Sequence, residues 1–135
     1  MFSRVHVFRV APDRELSSAI ADYCRESGIS SAVVVGIIGS LREARLNYLV
    51  ELPGRYISHD YAGPLEIVAA QGTVALKDTE TLTHVHIQLA SQQGCHGGHL
   101  ARGIVFSTAE VVIAELDYQL HRQTDDYTGL NELVG

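Results

Sequence analysis

Hydrophobic and polar residues alternate along most of the chain, which predicts a protein built mainly from β-strands. Residues 4–10 alternate from the outset and predict a first strand that is mostly apolar on both faces. Asp13 is a suitable helix N-cap, and apolar residues after it recur with helical spacing. The apolar face of this predicted helix consists of Leu16, Ala19, Ile20, Tyr23 and Cys24. Gly28 is suited to the position just after the helix.

The remainder of the chain is predicted to form consecutive strands. In order, they cover residues 31–40, 41–52, 56–61, 65–71, 73–76, 83–90, 97–106 and 110–116. Gly36 and Gly39 predict a bulge, or another backbone passing close to the chain. Ser107 and Thr108 predict a tight connection between the last two strands. One helix followed by many strands indicates an α+β fold with a largely antiparallel sheet.

Histidines are concentrated in residues 83–100, THVHIQLASQQGCHGGHL. Alternate residues of a strand share one face, so His84 and His86 are predicted to point the same way. The other face of that strand is an apolar stripe suited to a core, namely Val85, Ile87 and Leu89. The chain then turns at SQQGC and returns as the second arm of a hairpin, where His99 lies among very small side chains.

Whether the three histidines converge depends on the register of the second hairpin strand, residues 97–106. Its apolar stripe is predicted to be Leu100, Ile104 and Phe106. If the register places His99 on the face of His84 and His86, three imidazoles converge, because opposed Cβ atoms lie roughly 5 Å apart and diagonal ones roughly 7 Å. Three histidines around an open position form the ligand set of some catalytic zinc sites. The alternative is that each is an ordinary hydrogen-bonded or surface histidine.

Composition narrows the class of protein. The 135 residues suffice for one domain with a core, and 46% hydrophobic with 19% charged residues is typical of a globular chain. We therefore expect a single domain over residues 1–135 with a polar C-terminal tail at 117–135. The longest apolar run, residues 32–38, is too short to span a membrane, and the N-terminus has no signal-peptide hydrophobic region. These features predict a cytoplasmic protein without a membrane partner.

Two cysteines, Cys24 and Cys95, give no disulfide framework. Cys24 is predicted on the apolar helix face. Cys95 is predicted in the hairpin turn beside His96, where it is either a further ligand or an ordinary loop thiol.

Glu66 is an acidic residue within an otherwise apolar strand, LEIVAAQ, and is our candidate for a catalytic general acid or base. The alternative is that Glu66 is a structural partner for an arginine, such as Arg102 or Arg42. Glu110 is a second carboxylate candidate with the same alternative. Arg102 interrupts an apolar stripe, so it either binds an anionic substrate or pairs with a carboxylate across an interface.

In their order and spacing, the motifs resemble the PPC domain (plants and prokaryotes conserved domain). This domain occurs alone in bacteria and archaea and is attached to AT-hook motifs in plant nuclear proteins. The resemblance covers residues 3–133 and is carried by VVVGIIGSL, PLEIVAAQGTVAL, HVHIQLA, GGHLARGIVFSTAEVVIAEL and TGLNEL. It implies a PPC-like α+β fold: a mostly antiparallel sheet with one long helix in the N-terminal half, flanking short helices, and assembly as a homotrimer.

The resemblance also implies a cofactor. Prokaryotic members resembling HVH…GGH hold a divalent metal, foremost Zn, through histidines that match His84, His86 and His99. The plant members lack these histidines, so the fold does not require the site.

Three functions are compatible with these features. The first is a stand-alone homotrimeric metal-binding domain that senses a small molecule or, as a metal-dependent enzyme, acts on one. The second is a DNA-binding regulator, as the family label suggests, although the net charge of −6 and the lack of an AT-hook disfavour DNA as a partner. The third is an interaction scaffold with a structural metal clip. The second function requires a common face for Arg4, Arg9, Arg14, Arg25, Arg42 and Arg45.

Overall fold

The computed structural model describes residues 2–134, which form seven strands and one helix. The elements in chain order are β1 (Phe2–Val10), α1 (Leu16–Glu26), β2 (Ala32–Glu51), β3 (Arg55–Lys77), β4 (Glu80–Ser91), β5 (Gly94–Leu116), β6 (His121–Thr124) and β7 (Asn131–Val134). Residues 1 and 135, the ends of the predicted domain, lie outside the described residues. The prediction of a mostly antiparallel sheet is confirmed.

The helical part of the prediction needs correction. The helix has 11 residues and is short rather than long. The predicted flanking short helices do not occur within residues 2–134, because β2, β3, β4 and β5 are joined directly by turns of two or three residues. No helix in this part of the chain has the length and apolar character needed to cross a bilayer.

The strands form one sheet in the order β1-β5-β2-β3-β6-β7, and β4 pairs with both β3 and β5. The pairings of β2 with β3, β3 with β4, β4 with β5 and β5 with β2 are all antiparallel and close into a ring. β6 extends the sheet by a short parallel bridge to β3 and pairs antiparallel with β7. This topology places β4, which carries two of the predicted ligands, between β3 and β5.

The hydrophobic core is formed by α1 and the inward faces of the strands. Leu16, Ile20 and Cys24 of α1 are fully buried, as the helical spacing predicts. The largest strand side chains in the core are Leu41, Leu46, Leu65, Leu89 and Ile113. Each fully buried side chain of this size stabilises the fold by about 1.5–3 kcal/mol relative to an exposed one. The core therefore holds the strand register that positions the histidines.

The N-cap of the helix lies two residues after Asp13, which we predicted for that position. Asp13 lies in a preceding turn with φ 71°. The N-cap is Glu15, whose carboxylate accepts hydrogen bonds from the backbone N–H groups of Ser17 (3.1 Å) and Ser18 (2.9 Å). The same carboxylate accepts from the N–H of Gly103 on β5 at 2.9 Å. Glu15 therefore caps the helix and fastens it to the sheet.

Several predicted strand breaks are β-bulges within continuous strands. The strands predicted at 56–61 and 65–71 are parts of one strand, β3, and Gly63 and Pro64 between them form an irregularity where the register with β2 shifts between Leu41 and Glu43. Proline is tolerated at such a position because a bulge does not require its missing N–H. The predicted breaks are therefore irregularities within long, continuous strands.

β5 differs from its predicted pattern in the same way. The register with β2 shifts at Ala101, which reverses the inward and outward faces of the residues that follow. The predicted stripe of Leu100, Ile104 and Phe106 is therefore wrong: Leu100 and Val105 are buried, whereas Phe106 is 48% exposed. The expected connection at 107–108 is a second irregularity, and β5 continues through it.

Candidate metal centre

β4 alternates between the core and the candidate site. Val85, Ile87 and Leu89 are buried, with exposed fractions of 2%, 3% and 0%. His84 and His86 occupy the intervening positions, so they project from the opposite face, as predicted. The burial of the apolar stripe thus fixes the direction of both imidazoles.

The β4–β5 hairpin supplies the third imidazole. Ser91 pairs with Gly94 around a two-residue turn, and this register places His86 directly opposite His99. The ring centroids of His84 and His99 are 5.0 Å apart, and those of His86 and His99 are 5.5 Å apart. His99 therefore lies on the same face as His84 and His86, and the three imidazoles converge.

The three imidazoles are close enough to share an ion. Each offers one ring nitrogen, and these nitrogens lie within 4.8 Å of one another. The Nε2 atoms of His84 and His86 are 3.2 Å apart. Two nitrogens bound at about 2.0–2.1 Å to one zinc ion are separated by little more than 3 Å in tetrahedral geometry, so small side-chain adjustments suffice. The donor set therefore fits a divalent metal that accepts imidazole ligands.

Arg122 of β6 is a charged neighbour of this site that the sequence analysis did not identify. Its Nη2 donates to Thr73 Oγ1 at 2.9 Å and lies 3.4 Å from His84 Nδ1. Its Nη1 donates to the carbonyl oxygen of Asn131 at 2.9 Å. No spacing motif marks Arg122, because it reaches the site only through the bridge that joins β6 to β3. The tail at 117–135 therefore contributes to the site.

Burial and mutual repulsion favour the neutral forms of His84 and His99. Loss of solvation, followed by the charges of His99, Arg122 and His86, lowers the pKa of His84 to about 4. Loss of solvation also lowers the pKa of His99, with smaller contributions from His86 and Arg122. Burial similarly lowers the pKa of Arg122, although Glu132 opposes this effect. Neutral imidazole is the form that binds metals, so the site is ready for an ion at neutral pH.

A cleft of about 440 Å³ opens beside the imidazoles. His84 and His99 form part of its wall, and Tyr56, Arg122 and Glu132 line it as well. Its volume lies in the range of small-molecule sites. A metal held by the three histidines would therefore be next to a space that admits a small molecule.

Glu66, the predicted catalytic residue, is not brought to this cleft. It is exposed and pairs with Ala90 at one end of the β3–β4 ladder, whereas His86 pairs with Gln71 near the middle of that ladder. Four strand positions separate Ala90 from His86, roughly 13 Å at about 3.3 Å per residue. Glu66 instead lines a separate cleft beside Pro64.

The predicted ion-pair partners of Glu66 are engaged elsewhere. Arg102 donates to Glu43 at 2.8 Å, and Arg42 pairs with Asp13. Neither of these two arginines is therefore paired with Glu66. Glu110 is exposed and lies opposite Arg9 in the β1–β5 pair, away from the imidazoles.

Cys95 and His96 lie on β5 rather than in the turn. Cys95 is exposed and pairs with Ala90, four positions from the His86–His99 pair. The ring of His96 stacks on Tyr61 with centroids 4.2 Å apart. The group of close ligand atoms found among the described residues holds His84, His86 and His99 and does not include Cys95.

The sequence of residues 1–117 matches the Plants and Prokaryotes Conserved domain, abbreviated PCC or PPC. The chain belongs to this family. The match spans β1 to β5 and so includes all three histidines, whereas Arg122 lies beyond it.

Solved structures of similar proteins support the PPC assignment. A plant- and prokaryote-conserved protein from Pyrococcus horikoshii is 30% identical, with a TM-score of 0.89, over 100% of this chain and 95% of its own. A metal-containing protein from Archaeoglobus fulgidus is 28% identical, with a TM-score of 0.92, over 100% of this chain and 96% of its own. A candidate DNA-binding protein from Bacteroides thetaiotaomicron is 21% identical, with a TM-score of 0.91, over 99% and 94% of the two chains, and shares the fold. Among curated proteins, no match to the sequence is found.

Proposed function

We propose that this PPC-domain protein is a homotrimer that binds a divalent metal ion, foremost zinc, through His84, His86 and His99. The observation that carries the proposal is the convergence of three ring nitrogens within 4.8 Å of one another. The similarity to a metal-containing protein at 28% identity supports it. Three neutral nitrogen ligands with access to a cleft are typical of sites that keep one coordination position open.

A small molecule in the cleft is the partner that best suits such a site. Bound there, the metal would supply a Lewis acid next to the cleft. The residues of this chain would hold the ion, exclude water on the buried side and present Arg122 and Glu132 to the cleft. Metal-dependent catalysis on a small molecule is the enzymatic form of this proposal. In this enzymatic form, a catalytic role for Glu66 stays a prediction, and Glu66 does not lie next to any of the three histidines.

The proposed trimer is supported by an exposed apolar face. His6 and Phe8 of β1 contact Tyr23 of α1, so Val5 and Val7 project from the opposite side of the sheet. Apolar side chains that are more than half exposed on β1, β2 and β3 are Val5, Val7, Val35, Ile38 and Val68. Exposed apolar patches of this kind commonly mark protein interfaces. A homotrimer would remove this patch from water.

The DNA-binding alternative finds less support. Four of the arginines it relies on form ion pairs: Arg14 and Arg25 with Asp22, Arg42 with Asp13, and Arg45 with Asp60. Paired cations attract phosphate weakly, and the whole chain carries a net charge of −6. A gel-shift assay at low salt is expected to show no retarded DNA. Retardation that disappears as salt is added would instead favour the DNA-binding function.

Removing the metal with a chelator distinguishes the scaffold alternative from the proposed function. All three proposed ligands come from one chain, so removing the metal is expected to leave the trimer assembled. Dissociation on chelation, followed by sedimentation, would make the metal a structural clip.

Competition titration tests the metal proposal quantitatively. The protein and a coloured chelator compete for zinc, and His84→Ala is compared with His121→Ala, a control at an exposed histidine of β6. We expect His84→Ala to lose more than the roughly 10- to 100-fold affinity that follows loss of a partner outside the ligand set. His121→Ala should bind like the parent protein. Equal zinc affinity for both variants would contradict the proposal.

A further inference from the structure

The cleft beside the histidines has one arginine in its wall, Arg122. Arg122 is tethered by Thr73 Oγ1 and the Asn131 carbonyl oxygen, both at 2.9 Å, so its guanidinium is held in place rather than free in solvent. A guanidinium has five N–H donors. Thr73, Asn131 and the long 3.4 Å contact to His84 account for three of them, which leaves two for a ligand.

Arg122 forms no ion pair with Glu132, the acidic residue in the wall of this cleft, although Glu132 is near enough to raise the pKa of Arg122. Most other arginines here do have such partners, for example Arg45 with Asp60 at 2.8 Å and Arg102 with Glu43 at 2.8 Å. Arg122 is therefore placed differently, beside a cleft and close to the imidazoles.

The ligand set adds to this positive potential. Imidazoles are neutral, so they do not compensate the charge of a divalent ion as thiolates or carboxylates would. With a half-buried guanidinium next to such an ion, an anion bound in the cleft interacts favourably with both the guanidinium and the metal.

We propose that Arg122 makes this cleft a binding site for a small organic carboxylate, held between its guanidinium and the metal. This inference rests on the proposed metal site and names the chemical class of its ligand. A carboxylate oxygen accepts a charge-assisted hydrogen bond from a guanidinium N–H, which is stronger than a bond between neutral groups. Tyr56, Leu82 and Leu130 provide an apolar wall for the carbon skeleton. Inorganic phosphate has no carbon skeleton to place against this apolar wall, which favours an organic carboxylate.

Cobalt(II) provides the test, because its visible absorption changes when an added ligand enters its coordination shell. The cobalt-loaded protein is titrated with butyrate, a monocarboxylate with a short apolar chain, and separately with inorganic phosphate. Arg122→Gln is expected to weaken butyrate binding on the order of tenfold or more, the loss typical of a charge-assisted hydrogen bond. Arg45→Gln is the matched control, since Arg45 pairs with Asp60 outside this cleft, and should leave butyrate binding unchanged.

A second variant keeps the test decisive if Arg122→Gln does not fold. Glu132 is exposed, so Glu132→Gln should fold and should tighten butyrate binding roughly two- to fivefold by removing a repulsive charge. Unchanged butyrate affinity in Arg122→Gln, or in Glu132→Gln, would overturn the role of the cleft charges while the metal site stands. Tighter binding of phosphate than of butyrate would overturn the carboxylate assignment. Failure of the protein to bind cobalt would overturn the metal proposal, and this inference with it.

Discussion

His86 and His99 occupy directly opposed positions on β4 and β5, with ring centroids 5.5 Å apart. Backbone pairing therefore fixes the separation of two of the three imidazoles, and His84 follows two residues along the same strand. A site carried on paired strands is more precise than one carried on loops. The candidate metal centre is therefore preorganised by the sheet.

Gly72 is expected to be essential to this arrangement. A Cβ atom at Gly72 would collide with the carbonyl oxygen of His84, because β3 and β4 approach closely there. Gly72→Ala should destabilise the fold by about 1–3 kcal/mol, as overpacking in a core does, and should weaken zinc binding by displacing His84. Urea unfolding and zinc titration measure both effects.

Gly36→Ala is the matched control for Gly72. It also substitutes a strand glycine, but nothing lies within 4 Å of an added Cβ atom. It should change stability by less than about 1 kcal/mol. Equal losses in the two variants would show that the close approach at His84 is not what matters.

Acidification is expected to destabilise the metal-free protein. The pKa of His84 is about 4 in the folded protein, against 6.5 for a free imidazole, chiefly because burial disfavours the charged ring. Below pH 6.5 the unfolded chain takes up a proton that the folded chain resists, so the free energy of unfolding decreases as the pH falls towards 4. Urea midpoints measured between pH 7.5 and pH 4 should show this decrease. His84→Asn should make the dependence shallower, and an unchanged slope would rule out His84 as its source.

The two cysteines are expected to react at very different rates. Cys24 is buried, and loss of solvation, aided by Glu115, raises its pKa to about 11. Cys95 is exposed on β5. An aromatic disulfide reagent at pH 8 should therefore label one thiol rapidly and the other only on unfolding. Cys95→Ser should remove the rapid phase, and a rapid phase that persists would contradict the burial of Cys24.

The apolar face gives a direct test of assembly. Ile38 on β2 is 69% exposed in the single chain. If this face forms the trimer, Ile38→Glu buries a charge at the interface and should yield monomers in sedimentation experiments. Tyr127→Glu, at a side chain 79% exposed in the tail, should leave the assembly unchanged. A monomeric parent protein, or a trimeric Ile38→Glu variant, would exclude this face as the interface.

Local patterns predicted much of the fold because alternation and helical spacing report directly on burial. Val85, Ile87 and Leu89 are buried as their period of two required, and Leu16, Ile20 and Cys24 as their helical spacing required. The bulge at Ala101 could not be read from the sequence, since a small residue there is compatible with either face. It reversed the pattern of β5, so Phe106 was wrongly placed in the core stripe.

The sequence likewise predicted only part of the candidate site. His84, His86 and His99 lie within one hairpin, so strand geometry alone limited their separation. Arg122 lies 38 residues from His84 in sequence and joins it through tertiary structure. Glu66 stood out as an acid in an apolar strand, yet it occupies one of the exposed positions that alternate along β3 with the buried Leu65 and Ile67. Sequence spacing therefore predicted the three histidines that converge but not the groups around them.

Elemental analysis of protein purified without an affinity tag measures directly whether these histidines hold a metal. We expect one divalent metal ion per chain in the parent protein and in the control variant His121→Ala. We expect no bound metal in the variant that combines His84→Ala, His86→Ala and His99→Ala while retaining the fold by circular dichroism. Full metal content in that triple variant would contradict the assignment of these three histidines.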